Sequence, residues 1–95
     1  MPYNYTLTLR PYGHDRDAGI VQIDPDSRYG YWEYRNGSEG GGLWFQPANP
    51  DTTTGPLELV DYDGSYYLPA AVIVALREAG FVIDSEDFPE SCAHA

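Results

Sequence analysis

The sequence predicts an α+β fold in which one helix packs on one face of an antiparallel sheet of four to six strands. Residues 3–9 alternate between apolar and polar side chains, a pattern typical of a half-buried β-strand. Residues 69–79 instead carry apolar side chains at helical spacing. Between these two segments, short apolar runs separated by turn-forming residues predict the remaining strands.

The first third of the chain predicts three strands. The strand at residues 3–9 ends before Pro11, because proline lacks the amide hydrogen that a sheet requires. Residues 11–19 are rich in charge and in turn formers and predict a loop. Residues 20–24 predict a short strand ending in an Asp-Pro turn sequence, and residues 29–35 predict a strand rich in aromatic side chains.

The hairpin after the aromatic strand is harder to place. Asn36-Gly37 is the strongest two-residue signal for a hairpin turn. The glycine run at residues 40–42 does not predict a strand, so we interpret it as a flexible connection or a bulge. We therefore expect the return strand at residues 43–46, followed by a polar loop at residues 47–56.

The last third of the chain predicts a strand at residues 57–62 and a turn at Asp63-Gly64, after which residues 65–68 pair back briefly. A helix at about residues 69–79 follows.

This helix begins at Pro69, since the first helical turn does not need the missing proline amide. It ends at Gly80, which can adopt the left-handed conformation that closes a helix. Residues 81–83 predict a final short strand. The apolar stripe of the helix consists of Val72, Ile73, Leu76 and Ala79.

We expect one compact domain at residues 1–84 and an acidic, mobile tail at residues 85–95. The predicted core consists of Leu7, Leu9, Val21, Ile23, Trp32, Leu43, Phe45, Leu57, Leu59, Val72, Ile73, Leu76, Phe81 and Ile83. Most of five aromatic residues are expected to help fill it: Tyr3, Tyr5, Trp32, Trp44 and Phe45.

The charge of the chain restricts its partners. Fifteen Asp and Glu residues outnumber five basic residues, all of them arginine, and the net charge is -10. This charge repels phosphate, so it argues against direct binding to nucleic acid or to anionic membranes and favours a basic protein surface. Arginine without lysine is typical of a GC-rich genome and indicates a bacterial or phage source.

No catalytic, metal-binding or cofactor-binding motif stands out, so we predict a protein that is not an enzyme and needs no metal or cofactor. His14 lies in a charged loop, and Cys92 and His94 lie in the tail, where no fixed catalytic geometry is expected. Residues 61–64 begin like a calcium-binding loop, but their glycine stands at the fourth position of the motif, where the loop requires it at the sixth. The glycines at 40–42 precede neither a Lys-Ser/Thr pair nor a helix, as a phosphate loop would require.

The sequence predicts a cytoplasmic location in a bacterial host. A single cysteine forms no internal disulfide. The first residues do not form a secretory signal. The longest strongly apolar run, at residues 68–76, is shorter than the roughly 20 residues that span a membrane.

The acidic clusters are the candidate binding site. On an extended strand, carboxylates two residues apart lie on one face at about 6.5–7 Å, close to the spacing of successive phosphates on one DNA strand. A row of such pairs can imitate nucleic acid, although acidity can also serve solubility alone. The predicted partner-binding residues are Asp15, Asp17, Asp24, Asp26, Glu58, Asp61 and Asp63, with Tyr62, Tyr66 and Tyr67 beside the last cluster.

The combination of a short chain, strong acidity, nine tyrosines and no catalytic group resembles small phage-borne inhibitors of bacterial defence, notably anti-CRISPR proteins. Residues 42–45, 59–64 and 68–81 also resemble a pattern found in small phage and plasmid proteins. The resemblance implies an inhibitor that mimics nucleic acid and binds a basic site on a nucleic-acid-handling protein. The alternatives are an immunity protein or antitoxin that neutralises a basic toxin, a housekeeping adaptor and, last, a small enzyme.

The domain boundary can be tested by truncation. Deleting residues 90–95 is expected to leave the melting temperature nearly unchanged, because this polar segment is predicted to bury few contacts. Thermal unfolding followed by circular dichroism measures the effect. A loss of more than a few degrees would show that the tail is docked on the domain.

Overall fold

A computed structural model describes residues 5–10, 18–51, 55–63 and 68–88. It confirms the α+β fold, with one five-stranded antiparallel sheet and one helix packed on it. The elements, in chain order, are β1 (Tyr5–Leu9), β2 (Gly19–Asp24), β3 (Tyr29–Tyr34), β4 (Gly40–Pro47), β5 (Leu57–Tyr62) and α1 (Ala70–Glu78).

The sheet is a simple meander, because each strand pairs with the next one along the chain in the order β1-β2-β3-β4-β5. Directly opposite residues of antiparallel strands share a face. Val21 therefore lies on the same face as its partners Leu7 and Trp32. The face that includes these residues is covered by α1 and is called the inner face.

The core lies between the inner face and α1, and it confirms most of the sequence prediction. Trp32 is completely buried at its centre. Two predicted core residues, Leu7 and Leu57, are only partly buried, whereas Tyr34 and Leu68 join the core without having been predicted. The buried cluster consists of Leu9, Val21, Ile23, Trp32, Tyr34, Leu43, Phe45, Leu59, Leu68, Val72, Ile73, Leu76, Phe81 and Ile83.

Two aromatic residues assigned to the core are exposed instead. Tyr5 is 42% exposed because it lies at the end of an edge strand, where its ring packs edge-on against Phe81. Trp44 is 36% exposed because it lies between two inward-facing residues of β4, Leu43 and Phe45, and therefore points away from the core. Tyr3 lies outside the described residues.

The glycine run is part of a strand, so the expected start of the return strand at residue 43 is wrong. β4 begins at Gly40, whose direct partner is Glu33 of β3. A Cβ atom at Gly40 would lie only 2.8 Å from the backbone oxygen of Trp32. Glycine is therefore needed here for close approach of two strands rather than for flexibility.

A β-bulge in β5 shifts the alternation of its side chains between the two faces of the sheet. Phe45 pairs with Leu59, but the preceding residue Trp44 pairs with Asp61, so Val60 has no opposite residue. Beyond this bulge, Tyr62 pairs with Leu43 and packs against the core. The bulge thus sends Asp61 to the face opposite the core.

The helix has the predicted ends. Pro69 is the N-cap, and Gly80 follows the C-cap with a φ of 98°. The expected position of Ala79 on the buried stripe is wrong, because Ala79 is exposed at the helix terminus. The predicted strand at residues 81–83 is a single parallel bridge, in which Val82 exchanges backbone hydrogen bonds with β5.

The segments that flank the helix are only partly described. Of the predicted return strand at residues 65–68, only Leu68 is described, and it is buried outside any strand. In the predicted tail, residues 85–88 follow the core in a turn. Phe88 is half-buried there, and its ring packs edge-on against Tyr62.

Two glycines of the β3–β4 hairpin give a matched test of the sheet. Gly40→Ala should lower the free energy of unfolding by about 2–3 kcal/mol, because the methyl group forces the two strands apart. Gly37→Ala should cost about 1 kcal/mol, since Gly37 has a φ of 75° but open space around it. Urea denaturation measures both variants. Equal losses would contradict the close approach at Gly40.

Candidate functional site

The face of the sheet opposite α1, called the outer face, carries acidic and aromatic side chains. Alternation along the strands and the bulge in β5 determine which residues lie on it. They are Thr6, Thr8, Ile20, Gln22, Asp24, Tyr29, Tyr31, Glu33, Gly40, Gly42, Trp44, Gln46, Glu58, Asp61 and Asp63.

One row of this face crosses four strands. Asp24 of β2 lies opposite Tyr29 of β3. Tyr29 lies opposite Trp44 of β4, which in turn lies opposite Asp61 of β5. Neighbouring strands are about 4.8 Å apart, so the backbones at the two ends of the row are separated by about 14 Å, with two aromatic residues between them.

The neighbouring row is held by side-chain hydrogen bonds. Tyr31 lies between Gln22 and Gly42, and its hydroxyl donates to Gln22 Oε1 at 2.6 Å. Gly42 N donates to Asp63 Oδ1 at 3.2 Å, and Asp63 N donates to the Gly42 carbonyl at 3.0 Å. The position of the Asp63 carboxylate is therefore fixed by the end of the sheet.

The two aromatic rings of the first row and the Asp63 carboxylate of the second row lie close together above Gly42. The rings of Tyr29 and Trp44 pack edge-on, with centroids 5.2 Å apart and planes at 65°. A Cβ atom at Gly42 would lie 3.0 Å from Cη2 of Trp44, 3.1 Å from Asp63 Oδ1 and 3.1 Å from the Tyr29 hydroxyl oxygen. The three side chains converge because Gly42 has no side chain of its own.

The structure brings together two acidic clusters that are separate in the sequence. Asp24, from the first cluster, shares the outer face with Glu58, Asp61 and Asp63 from the other. Asp26 lies beside this face in the β2–β3 turn, where its amide donates to Asp24 Oδ1 at 3.0 Å.

The other predicted partner-binding residues are not on this face. Tyr62 packs against the core side of the sheet, so it does not share a surface with Asp61 and Asp63. The remaining four lie outside the described residues and stay predictions: Asp15, Asp17, Tyr66 and Tyr67.

Three aromatic residues and one acid of the outer face were not among the predicted binding residues: Tyr29, Tyr31, Trp44 and Glu33. A signal for Trp44 was present in the sequence. Leu43 and Phe45 were both predicted to be buried, and strand alternation then directs the residue between them outward. The row that joins Trp44 to Tyr29 depends on the register of β4, which the glycine run obscured.

The chemistry of the outer face is suited to a cation. It offers carboxylates that accept hydrogen bonds, and ring faces that attract positive charge. In the described ranges, no group of three or more His, Cys, Asp or Glu side chains could hold a metal ion.

Comparisons of the chain with protein-family models, with curated proteins and with solved structures find no match. Among the described residues, no helix is both long enough and apolar enough to cross a membrane.

The different environments of the two tryptophans can be measured. Trp32 is completely buried and Trp44 is 36% exposed. In the single-tryptophan variant Trp44→Phe, emission should be blue-shifted and resist acrylamide quenching, because only the core indole remains. In Trp32→Phe, quenching should be several-fold stronger. Equal quenching in the two variants would contradict the outward position of Trp44.

Proposed function

We propose that the protein is a non-enzymatic inhibitor whose outer face binds a positively charged, DNA- or RNA-binding surface of a bacterial defence protein. A CRISPR effector is an example of such a partner. The inhibitor acts by imitating nucleic acid and occupying the groove that would otherwise hold it.

The observation that carries this proposal is the distribution of charge over the sheet. The five strands contain no lysine or arginine. They contain four carboxylates, all on the outer face: Asp24, Glu33, Glu58 and Asp61. Asp63 adds another beyond the end of β5. Arg28 and Arg35 lie just beyond the two ends of β3, so basic residues stand at the border of this face and none within its strands. The negative charge of the strands is therefore concentrated on one surface, which favours a basic partner over solubility alone.

The spacing of the carboxylates supports mimicry of a nucleic-acid backbone. Asp61 and Asp63 are two residues apart at the end of β5 and lie on the same face, so extended backbone separates their Cα atoms by about 6.5–7 Å. Glu58 extends the acidic line along the same strand. Basic side chains that bind consecutive phosphates could contact these carboxylates instead.

The carboxylates are also held in place before binding. Asp61 Oδ1 accepts a hydrogen bond from the Tyr62 amide at 2.8 Å. Asp63 and Asp24 each accept one from a backbone amide as well. Binding therefore loses little entropy in ordering these groups, which favours affinity.

A charge-reversal experiment tests the proposal. The protein is added to purified CRISPR effector complexes, and their binding to target DNA is followed by fluorescence anisotropy. We expect displacement of DNA that weakens steeply as salt rises, because exposed charges are screened within about 8–10 Å at physiological ionic strength. Asp61→Lys/Asp63→Lys should abolish the displacement.

The matched control is Asp51→Lys/Glu78→Lys, which makes the same change of charge in the β4–β5 loop and on the helix, at exposed positions outside β5 and its acidic residues. It should retain most of the inhibition. An effector that binds the protein and still binds DNA normally would contradict mimicry, as would displacement that is insensitive to salt.

A further inference from the structure

We infer that the outer face receives an arginine side chain of the partner protein, stacked on Trp44 beside Tyr29 and paired with the carboxylate of Asp63. This inference rests on the proposed function and names the chemistry of the contact at the centre of the face. It distinguishes an arginine-bearing surface from one whose charge comes from lysine.

The ring of Trp44 forms the aromatic part of this contact. Cη2 is at the far end of the indole, and it lies 3.0 Å from the position of a Cβ atom at Gly42. The ring of Trp44 therefore extends back over the sheet instead of standing away from it. Tyr29 packs edge-on against this ring and helps to hold it. The Trp44 side chain is 36% exposed, so part of this ring is open to a planar group that can stack on it.

The carboxylate of Asp63 lies beside the same glycine as this ring. Asp63 Oδ1 lies 3.1 Å from the same Cβ position, so it is at the edge of the aromatic surface. The bond from Gly42 N holds Oδ1 there at 3.2 Å. A carboxylate has two oxygens and about four acceptor sites, so Asp63 can accept further hydrogen bonds from a ligand.

Arginine is the side chain that satisfies both features together. Its guanidinium is planar, stacks on aromatic faces and offers paired N–H groups that match a carboxylate. Lysine carries a compact, strongly hydrated ammonium group and cannot stack in this way. The five strands contain no arginine or lysine, and the arginines nearest in sequence, Arg28 and Arg35, lie just beyond the ends of β3.

The expected occupant is a protein and not a nucleic acid. Bases can also stack on exposed aromatic rings, but they bring phosphates with them. Those phosphates would meet Asp24, Asp61 and Asp63, and the net charge of -10 repels them as well. Charge complementarity therefore selects a basic protein surface.

Octa-arginine and octa-lysine peptides of equal charge test the inference. Their affinities for the full chain are measured by isothermal titration calorimetry at one fixed ionic strength. We expect octa-arginine to bind about tenfold more tightly. This ratio corresponds to one partly desolvated cation–π contact together with paired hydrogen bonds from the guanidinium to a carboxylate.

Two asparagine variants then locate the contact. Asp63→Asn should remove most of the preference for arginine, because the amide oxygen can still accept from Gly42 N but the paired charge is lost. Asp61→Asn removes the same charge nearby and should weaken both peptides alike, leaving their ratio unchanged. A ratio that responds equally to both variants would overturn the role of Asp63.

Two further variants test the aromatic surface. Trp44→Ala should bring the two affinities close together. Val60→Ala is its control, because Val60 is another exposed apolar residue, 42% exposed, next to the bulge. A preference for arginine that survives Trp44→Ala, in a variant shown to be folded by circular dichroism, would overturn the inference.

The failures of the two proposals can be told apart. Equal, salt-dependent binding of both peptides would overturn the arginine inference while supporting an acidic face that binds basic partners. No binding of either peptide would overturn both. Binding that Asp61→Lys/Asp63→Lys leaves unchanged would place the contact elsewhere on the chain and overturn both as well.

Discussion

The β-bulge at Val60 is the constraint on which the two faces of the sheet depend. Leu59 and Tyr62 both contact the core, yet they are three residues apart, and a regular strand would direct them to opposite faces. One extra residue resolves this conflict. Its consequence is that Asp61 and Asp63 fall on the outer face, so the packing of the core also determines where the acidic surface lies.

A sheet whose strands carry carboxylates on one face and no basic residues is destabilised by them, since like charges repel one another. The outer face tolerates this because water and salt screen exposed charges. Partial relief comes from backbone amides that donate to Asp24, Asp61 and Asp63. A basic partner would neutralise the remaining repulsion, so part of the binding free energy would come from strain already present in the free protein.

Sequence patterns predicted the fold well where local rules decide it. Periodicity and backbone chemistry predict the strand that ends at Leu9, the helix boundaries at Pro69 and Gly80, and most of the core. The register of β4 could not be predicted in this way. Gly40 is needed because β3 approaches it closely, and that contact joins residues far apart in the sequence. The joining of Asp24 to Asp61 through two aromatic rings depends on that register and was therefore hidden too.

Charge and aromatic rings have different roles on a surface of this kind. Exposed carboxylates such as Asp61 act over several ångströms and mainly raise the rate of association. A stacked ring acts only at contact and slows dissociation, which is where most differences in affinity between related complexes arise. The carboxylates alone would give a surface that binds many basic proteins in the same way. The aromatic pair of Tyr29 and Trp44, fixed over Gly42, adds a requirement for one planar cation at one position, and it is this requirement that can make an acidic surface selective.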